Sequence, residues 1–425
     1  MRTAETLVTG TRARVGPSLQ HVPTRVLVIG AGPAGAACAT ELARSGVDVI
    51  VIDKAVFPRD KCCGDRLTAS ALRHLEHLGF DTARLPAMRR TTDVRVHSPA
   101  GRTVSLQLPD DGTFAAIVPR MDLDAALVAH CRDAGVPVHE GRALMSVDSN
   151  GADAVTVTTS DGTTASWDFI VAADGMWSPT RRMLGLAGDG YLGEWHAFRQ
   201  YVSNVTGPAA HELHVWFEGD LLPGYAWSFP LPGNRANVGF GMLRDGATPT
   251  KHLAAKWRDL LARPNICAAL GDGFEPEGRH TAWPIPARVD RAVRSSGRVL
   301  FVGDAVCATD LLTGEGIGQA LETGMLAARA IDEGITAADV RARYSSLLDA
   351  HFLADHRMSA ALGRMLSSPR VTESVLRVVD TNDWTRRNFA RWMFEDEPRA
   401  ALFTPRRWHR GFLSRPGAYA SLPLH

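Results

Sequence analysis

The feature that most constrains this chain is Gly30-Ala-Gly32-Pro-Ala34-Gly35, set between an apolar run and a helix-forming stretch. Arg25-Val-Leu-Val-Ile-Gly30 reads as a buried strand, and Asp48-Val-Ile-Val-Ile-Asp53 as a second. Between them, Ala34 to Ser45 favours a helix that stops at Gly46, a residue suited to a left-handed C-terminal cap. Glycines at this spacing permit a tight turn, let the backbone approach a pyrophosphate and let the helix pack on the strand. The helix N-terminus then offers amides and a dipole to the anion. Asp53 ends the second strand near the spacing of about 20 residues from which a carboxylate reaches a ribose hydroxyl. A glycine-rich turn without a ligand would need none of this context. The sequence therefore predicts a dinucleotide site built on Gly30, Gly32, Ala34, Gly35, Asp53 and the adjoining Lys54.

Two more apolar runs, Asp168-Phe-Ile-Val-Ala-Ala-Asp174 and Arg298-Val-Leu-Phe-Val-Gly-Asp304, extend the pattern to four strands of a parallel sheet. Two regions break it. Thr92 to Leu108 and His196 to Met242 alternate apolar and polar residues, as in Leu213, Val215 and Phe217 or Trp227 and Phe229. A period of two predicts half-buried antiparallel strands, here one sheet flooring a substrate pocket. From Ala337 onward the pattern is helical, with Trp384, Phe389, Trp392, Met393, Phe394 and Trp408 among many arginines.

A chain of 425 residues exceeds one compact domain of about 100–200 residues, which suggests a nucleotide-binding domain with a second domain inserted. A net charge of +1 gives no reason to expect nucleic acid. No run approaches the roughly 20 apolar residues of a membrane-spanning helix. Residues 1–22 lack the apolar core of a secretory signal and read as a disordered tail. Six cysteines without paired metal-ligand spacing predict free thiols in a reducing cytoplasm and no metal site.

Val171-Ala-Ala-Asp174-Gly175-Met-Trp-Ser-Pro-Thr-Arg181 resembles the Asp-Gly motif of aromatic-hydroxylase-like flavoproteins. Gly303-Asp304 resembles the Gly-Asp motif whose carboxylate binds a flavin's ribityl chain, and Gly314-Glu315-Gly316-Ile317 follows in the expected order. The resemblance implies FAD. It further implies that the helix start at Gly314, Gly316 and Ile317 presents amides to the flavin ring, where negative charge develops on reduction. Arg120, in Val118-Pro-Arg120-Met-Asp, matches an arginine that lies along FAD in such folds. No second GxGxxG follows a strand, so the electron donor is expected to be external: transiently bound NAD(P)H, or a separate reductase or ferredoxin.

Pro58-Arg59-Asp-Lys61-Cys62-Cys63-Gly64, Gly224-Tyr225-Ala-Trp227-Ser-Phe229-Pro230 with the spaced Gly239 and Gly241, and Thr313-Gly314-Glu315-Gly316-Ile317 together resemble the signatures of the geranylgeranyl reductase family, over about Val26 to Ala328. That resemblance implies an α/β chain with a Rossmann-like FAD-binding domain (23–90, 115–190 and 291–336), an inserted antiparallel β-sheet substrate domain (91–114 and 191–290) and a C-terminal helical region (337–425). It implies hydride transfer from reduced flavin to C=C bonds of a hydrophobic, isoprenoid-like substrate. Lys61, Cys62, Cys63, Gly64, Asp174, Gly175, Gly303 and Asp304 are then expected at the cofactor. Tyr225, Trp227, Phe229, Pro230 and Gly239 are expected at the substrate, and Cys63, Tyr225 and Trp227 in catalysis.

Asp310-Leu311 stands where the family often has Asn-Pro, and Cys307 falls near the expected flavin ring; both put the substrate in doubt more than the cofactor. The same flavin motifs suit a monooxygenase that hydroxylates or epoxidises, and more weakly a halogenase, whose WxWxIP signature differs here at Tyr225 and Phe229. A non-catalytic carrier is disfavoured by the retained motifs. Finally, Arg386-Arg-Asn-Phe-Ala-Arg-Trp-Met-Phe394 and Arg406-Arg-Trp-His-Arg410 mix arginine and aromatics. Such a stretch could touch the inner membrane face where a prenyl lipid resides; the alternative is a helix docked on the FAD domain with solvated arginines.

Overall fold

The computed structural model describes residues 24–151, 153–188, 190–244, 250–394, 399–401, 404–405 and 415–420. The 1–22 tail and the 406–410 arginine run lie outside the described residues.

Valines and isoleucines facing both sides of the pleat make Arg25–Ile29 and Asp48–Ile52 buried strands, and the two pair in parallel. Phe169–Ala172 pairs with the other side of Arg25–Ile29, and Val299–Phe301 lies beyond it. Val138–His139 and Ser295–Ser296 complete a six-stranded sheet. The four expected strands thus lie side by side. Because they run parallel, Gly30, Asp53, Asp174 and Asp304 all emerge at one edge. Helix Pro33–Arg44 starts with proline at its first turn, where a missing N–H costs nothing, and Gly46 follows its end at φ +78°. It packs against helix Ile317–Glu333, so the two helices share one apolar core with the sheet.

The alternating regions form one seven-stranded sheet, in the order Glu275–Ile285, Trp195–Ser203, Arg235–Leu243, Tyr225–Leu231, Leu213–Trp216, Asp93–His97, Thr103–Gln107. Two details differ from expectation. Leu213–Trp216 pairs in parallel with Asp93–His97, so the antiparallel sheet has one parallel junction where its two sequence segments meet. The central strands are also buried on both faces instead of one. Their period of two separates two cores. Ala197, Val215, Trp227 and Phe229 belong to one, and Phe198, Trp216, Ala226, Val238 and Phe240 to the other. Helices Thr250–Leu261 and Pro264–Leu270 create the second core by laying Trp257, Leu260 and Ile266 on that face. Polar residues there are satisfied internally: Gln200 Oε1 accepts from Trp257 Nε1 at 3.0 Å.

The first core is closed by helices Pro369–Val379 and Asp383–Met393. The Arg386–Phe394 stretch is a docked helix, packed on the large sheet where the docked alternative had set it on the FAD domain, and its arginines divide between core and surface. Arg391 is buried, its guanidinium 5.7 Å from the Phe114 ring, and Met393 and Phe394 are buried beside it. Trp384 and Arg387 remain exposed. Among the described residues, no helix is long and apolar enough to cross a membrane.

Candidate active site

Where the C-terminal edge of the parallel sheet meets the aromatic face of the large sheet lies a cavity of about 690 Å³. Gly30, Gly32, Ala34, Asp53 and Lys54 line it from the first strand–helix unit. Lys61, Cys62, Cys63 and Gly64 reach it from the following loop, and Arg120, Asp174, Gly175, Gly303 and Asp304 from the remaining strand ends. Gly314, Gly316 and Ile317 bring in a helix start; Tyr225, Trp227 and Phe229 form a wall with Trp195, Trp283 and Ile285.

Three expected site residues are not on the wall, each for a packing reason. Gly35 sits beneath the turn, where an added Cβ would lie 1.8 Å from Gly30 O. Gly239 lies under the Trp227 indole, 2.3 Å from where a Cβ would stand, so it seats the ring and does not face the cavity. Pro230 alternates with Phe229 and points to the opposite face of the strand. Cys307, expected near the flavin ring, is likewise absent from the wall; it is buried, its sulfur 3.8 Å from the Tyr191 hydroxyl, which donates to Glu194 Oε2 at 2.6 Å.

The nucleotide side is tied down through carboxylates. Asp53 accepts the Ala31 amide on Oδ2 and the Ala55 amide on Oδ1, both at 2.8 Å, so the acid expected at a ribose also locks the glycine turn to the second strand. Arg120 is clamped on Asp124 at 2.9 and 2.8 Å, and Arg59 joins the same buried carboxylate at 2.8 Å. Two guanidiniums against one carboxylate leave a net positive charge on the wall near Gly32. Arg59 stood in the sequence motif without a role; its partner, 65 positions along the chain (124 − 59), could not be foreseen. Lys61 Nζ donates to Asp304 Oδ2 at 3.2 Å. Asp174 accepts the Thr180 amide on Oδ2 at 2.9 Å, while its buried Oδ1 has no partner among the described residues. Burial raises the Asp174 pKa.

The aromatic side is organised by residues that sequence reading missed. Trp227 Nε1 donates to Asn237 Oδ1 at 3.1 Å. Asn237 Nδ2 donates to the Cys63 carbonyl at 2.9 Å and to Asp65 Oδ2 at 2.8 Å. Tyr201 donates to the same Asp65 oxygen at 2.7 Å, and the Arg120 amide to Oδ1 at 3.1 Å. Asp65, at φ +64°, is fully buried, and burial pushes its carboxyl up to about 6 against those hydrogen bonds. Burial also pushes the Cys63 thiol up to about 11, partly opposed by the Arg120 charge. Cys62 turns elsewhere: the Thr281 hydroxyl donates to its sulfur at 3.2 Å.

A loop joins both sides. Trp195 Nε1 donates to Leu311 O at 2.9 Å, the Tyr225 hydroxyl donates to Thr313 O, and Arg66 pairs with Glu315 at 2.8 Å. Burial raises the Glu315 pKa, with Arg66 opposing. Directly after this loop begins helix Ile317–Glu333.

These residues fit a flavin dinucleotide: a turn that a single Cβ would fill, a cationic wall beside it, and a helix start opening onto the cavity. Among the described residues no group of His, Cys, Asp and Glu could hold a metal ion. The family described as FAD binding domain matches residues 23–346. A menaquinone reductase of Mycolicibacterium smegmatis is 32% identical over 373 residues, covering 81% of this chain and 85% of that protein. Digeranylgeranylglycerophospholipid reductase 2 of Methanopyrus kandleri is 29% identical over 343 residues, covering 77% and 82%. The crystal structure of a geranylgeranyl bacteriochlorophyll reductase-like protein from Thermoplasma acidophilum superposes with a TM-score of 0.74 at 20% identity, covering 90% of this chain and 99% of that one. The chain belongs to the FAD-dependent oxidoreductases of the geranylgeranyl reductase family. It is an FAD-binding enzyme.

Proposed function

We propose that the chain reduces C=C double bonds in a hydrophobic, isoprenoid-like substrate. The observation that carries this reading is continuity: one cavity is lined both by the glycine turns and by Trp195, Tyr225, Trp227, Phe229, Trp283 and Ile285. The relatives named as reductases of menaquinone and of a digeranylgeranyl lipid support the same substrate class.

In this reading Gly30, Gly32, Ala34, Asp53 and Lys54 hold the adenylate part of FAD, with Arg59 and Arg120 countering the pyrophosphate charge. Asp174, Gly175, Gly303 and Asp304, the last held by Lys61, would hold the ribityl part, and the Gly314–Ile317 helix start would offer its amides to the ring. Reduced FAD supplies a hydride when bound. The protein's own part is to exclude water, hold the chain against the aromatic wall and provide a proton. Our candidate for the proton is Cys63: burial keeps its thiol protonated through neutral pH, and Arg120 beside it would stabilise the thiolate left behind. Tyr225, its hydroxyl fixed on the Thr313 carbonyl, offers a ring to the substrate and no free proton. Electrons come from an external donor of the NAD(P)H or redox-protein class.

The test is anaerobic. Reduced enzyme mixed with menaquinone or geranylgeranyl lipids should be reoxidised, with a product two mass units heavier. Reoxidation only after oxygen is admitted, with a transient flavin hydroperoxide spectrum, would replace this reading with a monooxygenase.

A further inference from the structure

Asp310 lies in the chain just before the cavity loop and is almost fully buried. Its two oxygens look in different directions. Oδ2 serves the loop itself, accepting the Leu312 amide at 3.1 Å, the Thr313 amide at 2.6 Å and the Thr313 hydroxyl at 2.7 Å. Oδ1 serves the C-terminal part of the chain, accepting Ser359 Oγ at 2.8 Å and pairing with the Arg399 guanidinium. Arg399 is itself buried, stacks 5.7 Å from the Trp392 ring and extends Nη2 to the Thr313 hydroxyl at 3.5 Å. The next residue, Ala400, donates its amide to Asp355 at 2.7 Å, so the segment is pinned at two successive residues.

The chemistry of the acid explains why an arginine stands there. An asparagine could still accept the loop amides on its single oxygen, but its NH2 would face the Ser359 and Arg399 donors. An aspartate accepts on both sides, at the cost of a buried charge that must be matched. The sequence departs from Asn-Pro at this place, and Arg399 supplies the matching charge. Thr313 is the residue that both clusters grip, and its carbonyl also receives the Tyr225 hydroxyl. Thr313, Gly314, Glu315 and Gly316 all line the cavity.

We propose that Arg399, paired with Asp310, is a positioning residue for the Thr313–Gly316 turn, so that the C-terminal segment sets the geometry of the flavin end of the cavity. This rests on FAD binding and on no assumption about the substrate.

The test uses the full-length protein, stripped of flavin and titrated with FAD. Asp310→Asn severs only the C-terminal half of the cluster. It should weaken FAD binding about tenfold, and the variant saturated with FAD should show a shifted flavin absorption band and reduction potential. Arg399→Gln should do the same, the double variant should be no worse than either single one, and Arg399→Lys should recover most of the affinity. Should Arg399→Gln fail to fold, Asp310→Asn and Arg399→Lys carry the test alone. Unchanged FAD affinity and spectrum with only a lower melting temperature would make the pair a structural brace and overturn the proposal. Additive effects of the two substitutions would overturn it equally. A failed substrate assay would leave these readouts untouched and would count only against the reductase reading.

Discussion

The two walls of the cavity are specified in different ways. The nucleotide wall starts from backbone: a strand, a turn that admits no Cβ at Gly35, and a helix, all within residues 25–53, with Asp53 tying the turn to the second strand. The aromatic wall is made of side chains held by partners far away. Trp227 leans on Asn237, Asn237 on Asp65 172 positions away, and Asp65 on Tyr201 136 positions away. A wall of the first kind is intolerant of one methyl group at its turn. A wall of the second kind degrades in steps, and its losses fall on the substrate before the cofactor.

The sharpest break in that comparison is Gly35→Ala. The added methyl would lie 1.8 Å from a backbone oxygen, which no side-chain shift relieves. Purified protein should carry essentially no FAD, read from the ratio of flavin to protein absorbance. Retention of stoichiometric FAD would show that the turn can reopen and that the rigid-wall argument is wrong.

Cys63→Ala is next, on the aromatic side of the loop. FAD content should be unchanged while the single-turnover rate of substrate reduction falls by about 100-fold or more, the usual worth of a positioned acid. Cys63→Ser, whose hydroxyl is a poorer acid than the thiol, should recover little. An unaltered rate would remove Cys63 from catalysis and leave it a half-buried thiol without chemistry.

Trp227→Ala should split the two walls. Removing a buried indole costs about 3–5 kcal/mol in stability, yet the glycine turn does not depend on it. FAD affinity should hold within a factor of about two, with KM for the lipid substrate up about tenfold. Trp227→Phe keeps a ring but leaves Asn237 Oδ1 without its donor, a loss of about 1–3 kcal/mol. If FAD affinity falls as far as KM rises in Trp227→Ala, the walls are not separable.

This division also explains what was legible in the sequence. Gly30, Gly32, Gly35 and Asp53 lie within one strand–helix–strand unit, so their spacing carries the geometry. Tyr225, Trp227 and Phe229 share a face because strands alternate, and that too is local. Asp65, Asn237 and Arg399 had no local signal: each is an ordinary polar residue until a distant partner is folded against it. Arg59 stood in a motif and Asp310 marked a departure, but neither disclosed its partner. Burial of the large sheet on both faces was hidden for the same reason, since the covering helices begin after the alternating segment ends. Gly35, expected at the cofactor, and Gly239, expected at the substrate, are both tight places, and the tightness is toward protein.

Asp65 gives the cleanest sign. Its carboxyl rises from an ordinary 3.8 to about 6, chiefly through burial. The folded state therefore holds a proton between those values that the unfolded chain has already released. Stability from this group is present at low pH and falls as pH rises from about 4 to about 6, the reverse of an acid held by a salt bridge. The size is on the order of 3 kcal/mol. Asp65→Asn abolishes the titration, although its NH2 must face either the Arg120 amide or the Tyr201 and Asn237 donors. That penalty is independent of pH, so it shifts the comparison without tilting it. Urea midpoints of the two proteins, taken across this window, should give a difference that drifts in favour of the variant as pH rises and levels off above 6. Groups common to both proteins cancel in that difference. A flat difference would mean that Asp65 ionises as readily in the fold as in water, and that the network joining Cys63 to Trp227 is wetter than its hydrogen bonds imply.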